Sequence, residues 1–417
     1  MKTEFSIRSN AWLVVALLWF VACLNYLDRI MITTMRSSIL AEIPMTDAQF
    51  GMLTAVFLWV YGLLSPIAGF LADRFSRSRI IILSLLAWSL ITWLTGQAKT
   101  FDQLLFARAL MGISEACYIP AALALITDYH RGETRSLATG IHVTGVTIGS
   151  GLGGVAGWIA EKQGWTYAFG LFGIIGIAYG VLLLFFLRDV PHDESKNIDG
   201  SVKPSVKFGE ALISLFSCGS FILMIVFWAL TAAASWGVTG WMPTYLGEHF
   251  HLGQGKAGLS ATVFHHSASV VGLIVSGLWA DRWSRSRPRA RILVPVIGLC
   301  FAVPGLLLAA SSPILSLALA GLVIYGMSRS FTDSNMMPIL CMVCDPRYRA
   351  TGFGVLNLFA CIVGGTTIYL GGVLRDKQVD VSYIFCFAAV GLLLCAFLLF
   401  LVRPSPDVVQ LSEVSTK

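Results

Sequence analysis

The sequence predicts an all-α membrane protein: twelve transmembrane helices in two pseudo-symmetric six-helix bundles. Three observations carry the prediction. The 417 residues are 56% hydrophobic and only 12% charged, with a mean hydropathy of +0.76. A soluble domain carries about 25% charge, so this chain takes lipid as its solvent. Apolar runs of about 20 residues, the length that crosses a bilayer, recur between short polar breaks. Finally, Gly69 to Arg79 (GFLADRFSRSR) is echoed by Gly277 to Arg287 (GLWADRWSRSR), with eight identities in eleven positions. One copy in each half implies duplication.

The spans fall in order at about 11–35, 49–72, 80–98, 102–127, 137–160, 166–187, 218–246, 257–280, 292–311, 314–342, 351–374 and 382–402. Helices are expected because every backbone group must be satisfied within its own span. A barrel strand would alternate with a period of two, and these runs do not. Residues 1–187 form the N-terminal bundle and 218–417 the C-terminal bundle with a cytoplasmic tail. Between them, 188–217 is polar, carries two prolines and reads as a cytoplasmic linker. Lys207 to Phe216 within it suits a short amphipathic surface helix.

Orientation follows from Lys and Arg. With the N-terminus inside, the cytoplasmic loops hold Arg74, Arg77, Arg79, Arg131, Arg135, Arg282, Arg285, Arg287, Arg347 and Arg349, and the linker adds more. The opposite side holds only Arg36, Lys99, Lys162, Lys256, Arg375 and Lys377. Both termini are therefore expected in the cytoplasm, and the chain is expected to be a multi-pass protein of the inner (plasma) membrane. The net charge of +6 lies in these loops, so nucleic acid is not an expected partner. The nine cysteines are scattered. Cys341 and Cys344 form a CxxC without a second pair and read as small buried residues, not a metal site. No cleavable signal peptide is expected, since the first apolar run is too long for one.

The duplication extends beyond the loop motif. Gly112 and Gly326 are separated by the same interval as Arg135 and Arg349, which aligns spans 4 and 5 with spans 10 and 11. Gly145, Gly149 and Gly153 recur every four residues and form one helix face suited to close packing. No strand precedes them, as a nucleotide-binding glycine motif requires.

These motifs resemble the major facilitator superfamily over nearly the whole chain. The loop after span 2 is similar to the family signature G-x-x-x-D-R-x-G-R-[RK]-[RK], with Ser76 in place of the loop glycine and Ser78 in place of the middle basic residue. RALMGISEA from Arg108 resembles the helix 4 signature. GVTIGSGLGG from Gly145 resembles the helix 5 motif, with Ser150 where most antiporters have proline. NYLDR (Asn25 to Arg29), together with Arg108 and Glu115, is similar to the anion:cation symporters, which carry sugar acids and sialic acids. It is equally similar to the spinster-like lipid carriers. The resemblance implies the major facilitator fold.

A charged side chain at a helix centre costs about 2.5–3.5 kcal/mol on insertion scales and usually serves function. Asp28, Arg29, Arg108, Glu115, Arg329 and Asp333 fall at such places. Arg108 and Glu115 lie two turns apart on one face. Asp28 shares a face with Asn25, and Arg329 is placed to pair with Asp333. Asp28 and Glu115 are the expected proton-coupling carboxylates. Arg29 is the expected clamp for a substrate carboxylate, because its planar fork fits that group. Arg108, Asn25, Tyr118, Arg329, Tyr325 and Asn357 complete the candidate substrate site. The competing reading is a set of internal ion pairs that hold helices together. Gly69, Asp73, Arg74, Arg77, Asp281, Arg282, Arg285 and Arg135 are the candidate gating residues, with Asp73 and Asp281 facing a helix N-terminus or a neighbouring arginine as a latch. His265 and His266 suit packing better than a cavity role, and His142 is expected to lie shallow. Trp228, Trp236 and Trp241 suit a cavity wall and an interfacial belt equally.

No nucleophile elbow, metal cluster or P-loop is present, so neither an enzyme nor an ATP-driven pump is expected. The expectation is a monomeric proton-coupled symporter of a small organic anion such as a sugar acid, embedded in the lipid bilayer. Its coupling ion is the proton, and it needs no cofactor or metal. The alternative is a spinster-like carrier of lysolipids or other amphiphiles, which needs a lateral opening and an apolar cavity half.

Overall fold

The computed structural model describes residues 2–130, 134–190, 208–287, 289–345 and 348–403, without the side chains of 2–10, 69, 70, 72, 73, 136, 208 and 350. The linker from 191 to 207, the tail from 404, the side chain of Asp73 and the position of Gly69 in the packing lie outside this description. The helices are α1 (Lys2–Thr34), α2 (Arg36–Glu42), α3 (Asp47–Arg74), α4 (Arg77–Thr95), α5 (Phe101–Ala116), α6 (Tyr118–Tyr129), α7 (Arg135–Gln163), α8 (Trp165–Phe186), α9 (Phe208–Phe216), α10 (Gly219–His249), α11 (Gln254–Ser284), α12 (Ala290–Ser311), α13 (Leu315–Val343), α14 (Arg349–Asp376) and α15 (Val381–Leu401). Twelve stretches among the described residues are long and apolar enough to cross a membrane. Each overlaps one predicted span.

Local chemistry sets the boundaries. Thr46 caps α3 in a capping box with Gln49, which satisfies two otherwise orphaned amides. Ser76 accepts from the Arg79 N–H at the start of α4, and Thr100 accepts from Gln103 at the start of α5. Span 4 departs from the prediction of one helix. It breaks at Cys117 into α5 and α6, because Pro120 has no N–H to offer the Ala116 carbonyl and its ring crowds that turn. Glu115 therefore sits in the last turn of α5. Two short helices flank the bundles. The predicted amphipathic segment forms α9, with Ala211 and Leu215 buried and Ile213 exposed. The stretch after span 1, expected as a loop, folds into α2.

The two halves repeat each other's packing. α1 packs on α7 as α10 packs on α14, α4 on α8 as α12 on α15, and α3 on α5 as α11 on α13. The halves meet through two equivalent seams, α3 against α14 and α11 against α7. The α7 glycines face α1: a Cβ on Gly145, Gly149 or Gly153 meets Trp19, Cys23 or Ile30, and Gly157 continues the row against Thr34. At Gly149 the obstacle is the Cys23 backbone, which cannot rotate away. Gly149→Leu should therefore abolish folded, monodisperse protein in detergent, whereas Gly140→Ala, which meets open space, should elute and melt as the parent does. Size-exclusion and thermal unfolding read both.

Candidate functional site

The most buried charges of the N-terminal half gather where α1, α3 and α5 meet. The Arg29 Nε donates to Glu115 at 2.7 Å, with the two side chains 3% and 0% exposed. The Arg29 guanidinium also lies over the rings of Tyr61 (4.3 Å), Tyr26 (4.6 Å) and Phe57 (5.2 Å). An aromatic face stabilises a desolvated cation by about 2 kcal/mol or more, so this box offsets part of the cost of burial. Arg108 takes a different set of partners. Its Nε donates to the Leu53 carbonyl at 3.2 Å and its guanidinium lies 4.7 Å from the Phe57 ring. Asp28 accepts from the Thr92 hydroxyl at 3.3 Å. The second oxygens of Asp28 and Glu115, one terminal nitrogen on each arginine and both amide atoms of Asn25 are buried without a partner. A buried polar group without a partner costs about 1–3 kcal/mol, so these atoms mark the cluster as one poised to take up a proton.

The other candidate residues divide by position. Tyr118 is sealed in the N-terminal core: its hydroxyl donates to the Leu18 carbonyl at 2.9 Å and meets His142 Nε2 at 2.9 Å. His142 is buried with it, because the small residues of α7 bring that helix against α1. Tyr325 is buried beneath His265, the rings stacked at 5.3 Å, and His265 also meets His266 edge-on at 4.6 Å. Asn357 donates to Ser65 at 3.2 Å across the α3–α14 seam. Trp241 is neither cavity wall nor belt; it is buried and donates to the Ile368 carbonyl at 3.2 Å. Arg329 pairs with Asp333 at 2.6 Å, and these side chains stay 16% and 34% exposed. Among the six intramembrane charges, this pair alone retains substantial exposure.

The two ends of the molecule differ. At the Arg36 end the halves are zipped together. Arg375 forks onto Glu248 (3.0 and 2.8 Å) and reaches Asp47 at 3.1 Å; Arg36 pairs with Asp47 and reaches Glu248 at 3.7 Å. Asp376 accepts from the backbone N–H groups of Asp47 (2.8 Å) and Ala48 (3.0 Å) at the start of α3. Glu161 accepts from the Gly255 N–H (2.5 Å) at the start of α11. Asp47 and Gly255 are separated by the same interval as Asp73 and Asp281. Each half thus presents a carboxylate to the N-terminus of the other half's second spanning helix, where free amides and the helix dipole favour an anion. Gln254 and Ser38 add a hydrogen bond from α11 to α2 at 2.8 Å.

The loop-motif end is open by comparison. Arg77 pairs with Asp128, Ser76 and the Ser78 N–H bind Asp189 at the start of the linker, and Asp281 pairs with Arg291 at 2.8 Å, none of them reaching the opposite half. Arg74, Arg135, Arg282 and Arg285 are exposed. Among the described residues no hydrogen bond or ion pair joins either motif to the opposite half. Gly140 and Gly277, at this end of α7 and α11, have open space around them.

Sequence reading missed Tyr26, Tyr61 and Phe57 as a cage for Arg29, and missed the lattice of Arg36, Asp47, Glu161, Glu248, Arg375 and Asp376. Tyr26 stands one turn before Arg29 and was findable by helical spacing. The lattice left one trace in the sequence, the repeat interval linking Asp47 to Gly255.

Two bundles related by an internal repeat, closed at one end and parted at the other around buried charge, define a multi-pass membrane transporter. The model of the Major Facilitator Superfamily matches residues 18–368, and the chain belongs to that superfamily. It is similar to Protein spinster homolog 1 of Xenopus tropicalis (24% identical over 396 residues, 90% of this chain and 75% of that protein). It is also similar to an MFS-type efflux pump of Mycolicibacterium smegmatis (25%, covering 89% and 86%) and to the sphingosine-1-phosphate transporter SPNS2 of Mus musculus (25%, covering 91% and 73%). A crystal structure of a bacterial homologue of the human lysosomal transporter Spinster, inward-facing and occupied, superposes with a TM-score of 0.78 at 22% identity, covering 94% of this chain and 98% of that one.

Proposed function

We propose that this transporter moves an anionic amphiphile of the lysolipid class by alternating access, in place of the sugar acid that the buried charges suggested. The observation that carries the reading is the similarity, over about nine-tenths of the chain, to a sphingosine-1-phosphate transporter, whose substrate joins an anionic headgroup to an apolar tail. The geometry supports both parts. Arg29 and Arg108 are sealed, which leaves Arg329 as the intramembrane arginine able to meet a headgroup. On α11, Gly258, Thr262 and His266 meet α7. The same face continues through the half-buried Val270 and Leu273 to Gly277, which has open space beside it. That apolar stretch suits a tail entering from the side.

The positive-inside rule puts the Arg36 end outward, so this conformation opens to the cytoplasm. In this reading Asp28 and Glu115 carry the coupling proton. Protonation of Glu115 removes its charge from Arg29 and changes the balance that holds the N-terminal half. A thermal-shift comparison tests the substrate class. Sphingosine-1-phosphate and lysophosphatidylglycerol should raise the melting temperature by several degrees, and glucuronate should not. Stabilisation by glucuronate alone would return the substrate to the organic anions.

A further inference from the structure

The two copies of the loop motif are neutralised differently. In the N-terminal copy, Arg77 pairs with Asp128, and Asp189 binds Ser76 and Ser78. The interval that relates Arg135 to Arg349 carries Asp128 onto Met342, and the stretch after α15, Val402 to Ser405, offers no acid in place of Asp189. The second half thus lacks both acids. Among the described residues Arg282, Arg285 and Arg287 have no carboxylate partner, and all three are exposed. Only three positions differ between the copies, and two of them replace Leu71 and Phe75 with Trp279 and Trp283. One helical turn apart, these rings stack at 6.0 Å with an interplanar angle of 10°. With Arg282 and Ser286 they line a groove of about 390 Å³ at the end of α11.

We propose that this groove binds the headgroup of an anionic membrane phospholipid, with the headgroup phosphate on Arg282 and the glycerol and upper acyl chain against Trp279 and Trp283. Charge complementarity selects the occupant: the groove sits at the end of a membrane-spanning helix, where tryptophan prefers the headgroup level. Unneutralised arginines there attract anionic lipid by about 1 kcal/mol each. The site is separate from the buried charges of the N-terminal half and does not depend on which substrate is carried.

The test uses full-length protein in detergent, melted with added phosphatidylglycerol, phosphatidylcholine or inorganic phosphate. Phosphatidylglycerol should raise the melting temperature several degrees more than phosphatidylcholine, and free phosphate should have no effect. Trp279→Leu/Trp283→Phe, which restores the N-terminal copy's residues, and Arg282→Gln should each remove at least half of the phosphatidylglycerol increment. An increment untouched by both variants, or reproduced by phosphate alone, overturns the proposal. A phosphatidylglycerol with a photoreactive headgroup, applied to the wild-type chain, needs no variant to fold. Labelling within 279–286 is expected, and labelling confined to other segments overturns the proposal.

Discussion

Glu115→Ala should destabilise the protein by about 3–5 kcal/mol, because removing one partner of a buried ion pair strands the other. Arg29 is 3% exposed and has no second carboxylate within the described contacts to take over. Its aromatic cage holds the cation but does not neutralise it. Replacing both partners with apolar side chains of similar size, as in Arg29→Met/Glu115→Leu, should recover most of that stability. Thermal unfolding in detergent measures the series. Transport separates the structural role from the functional one. The stable double variant, and likewise Glu115→Gln and Asp28→Asn, should lose uptake or efflux driven by an imposed pH gradient in proteoliposomes. Full gradient-driven transport by the double variant would reduce the pair to a helix-to-helix bond and remove Glu115 from the proton path.

Neutralising the two carboxylates at the Arg36 end should shift the resting conformation of the whole molecule. A carboxylate at a helix N-terminus contributes about 0.3–1 kcal/mol, and up to about 2 kcal/mol where partly buried. Glu161 and Asp376 together then account for about 2 kcal/mol, roughly a thirtyfold change in an equilibrium. Glu161→Gln/Asp376→Asn should speed hydrogen–deuterium exchange in 36–49 and 247–256. It should also slow exchange in 74–80, 134–140 and 277–287 as the loop-motif end closes. The distant protection is the decisive readout. Faster exchange at the Arg36 end with no change at the other end would mean frayed helix caps and no latch. Arg375→Gln, which removes the fork onto Glu248 and the contact to Asp47, should act in the same direction.

Much of the architecture is legible in the sequence. Twelve spans follow from composition and run length, because a bilayer demands long apolar helices. The duplication follows from the loop motif, and the register of the repeat from equal intervals. The row of glycines on α7 follows from spacing alone, and it does face another helix. The site was legible only as an inventory. Arg108 and Glu115 do share a helix, yet Glu115 pairs with Arg29 from another span and Arg108 reaches Leu53. Tyr118 looked like a ligand for substrate and packs in the core, since nothing in a one-dimensional pattern separates a helix face turned to a cavity from one turned to a neighbour. The break at Cys117 shows the same limit: no expectation drawn from the sequence placed it, and it leaves Glu115 in the last turn of a helix that ends at Ala116.

By itself, then, the sequence determined the solvent, the number of spans, the twofold repeat and the set of charges that the membrane makes costly. These are properties of local composition and periodicity, and a bilayer enforces them on any chain. Tertiary structure decided which charges are partners, which arginine stays accessible, and which end is shut. Those depend on contacts between residues far apart in the chain, above all the α3–α14 and α7–α11 seams. There Asp376 and Glu161 find helix termini of the opposite half at one end, and Gly140 and Gly277 find open space at the other.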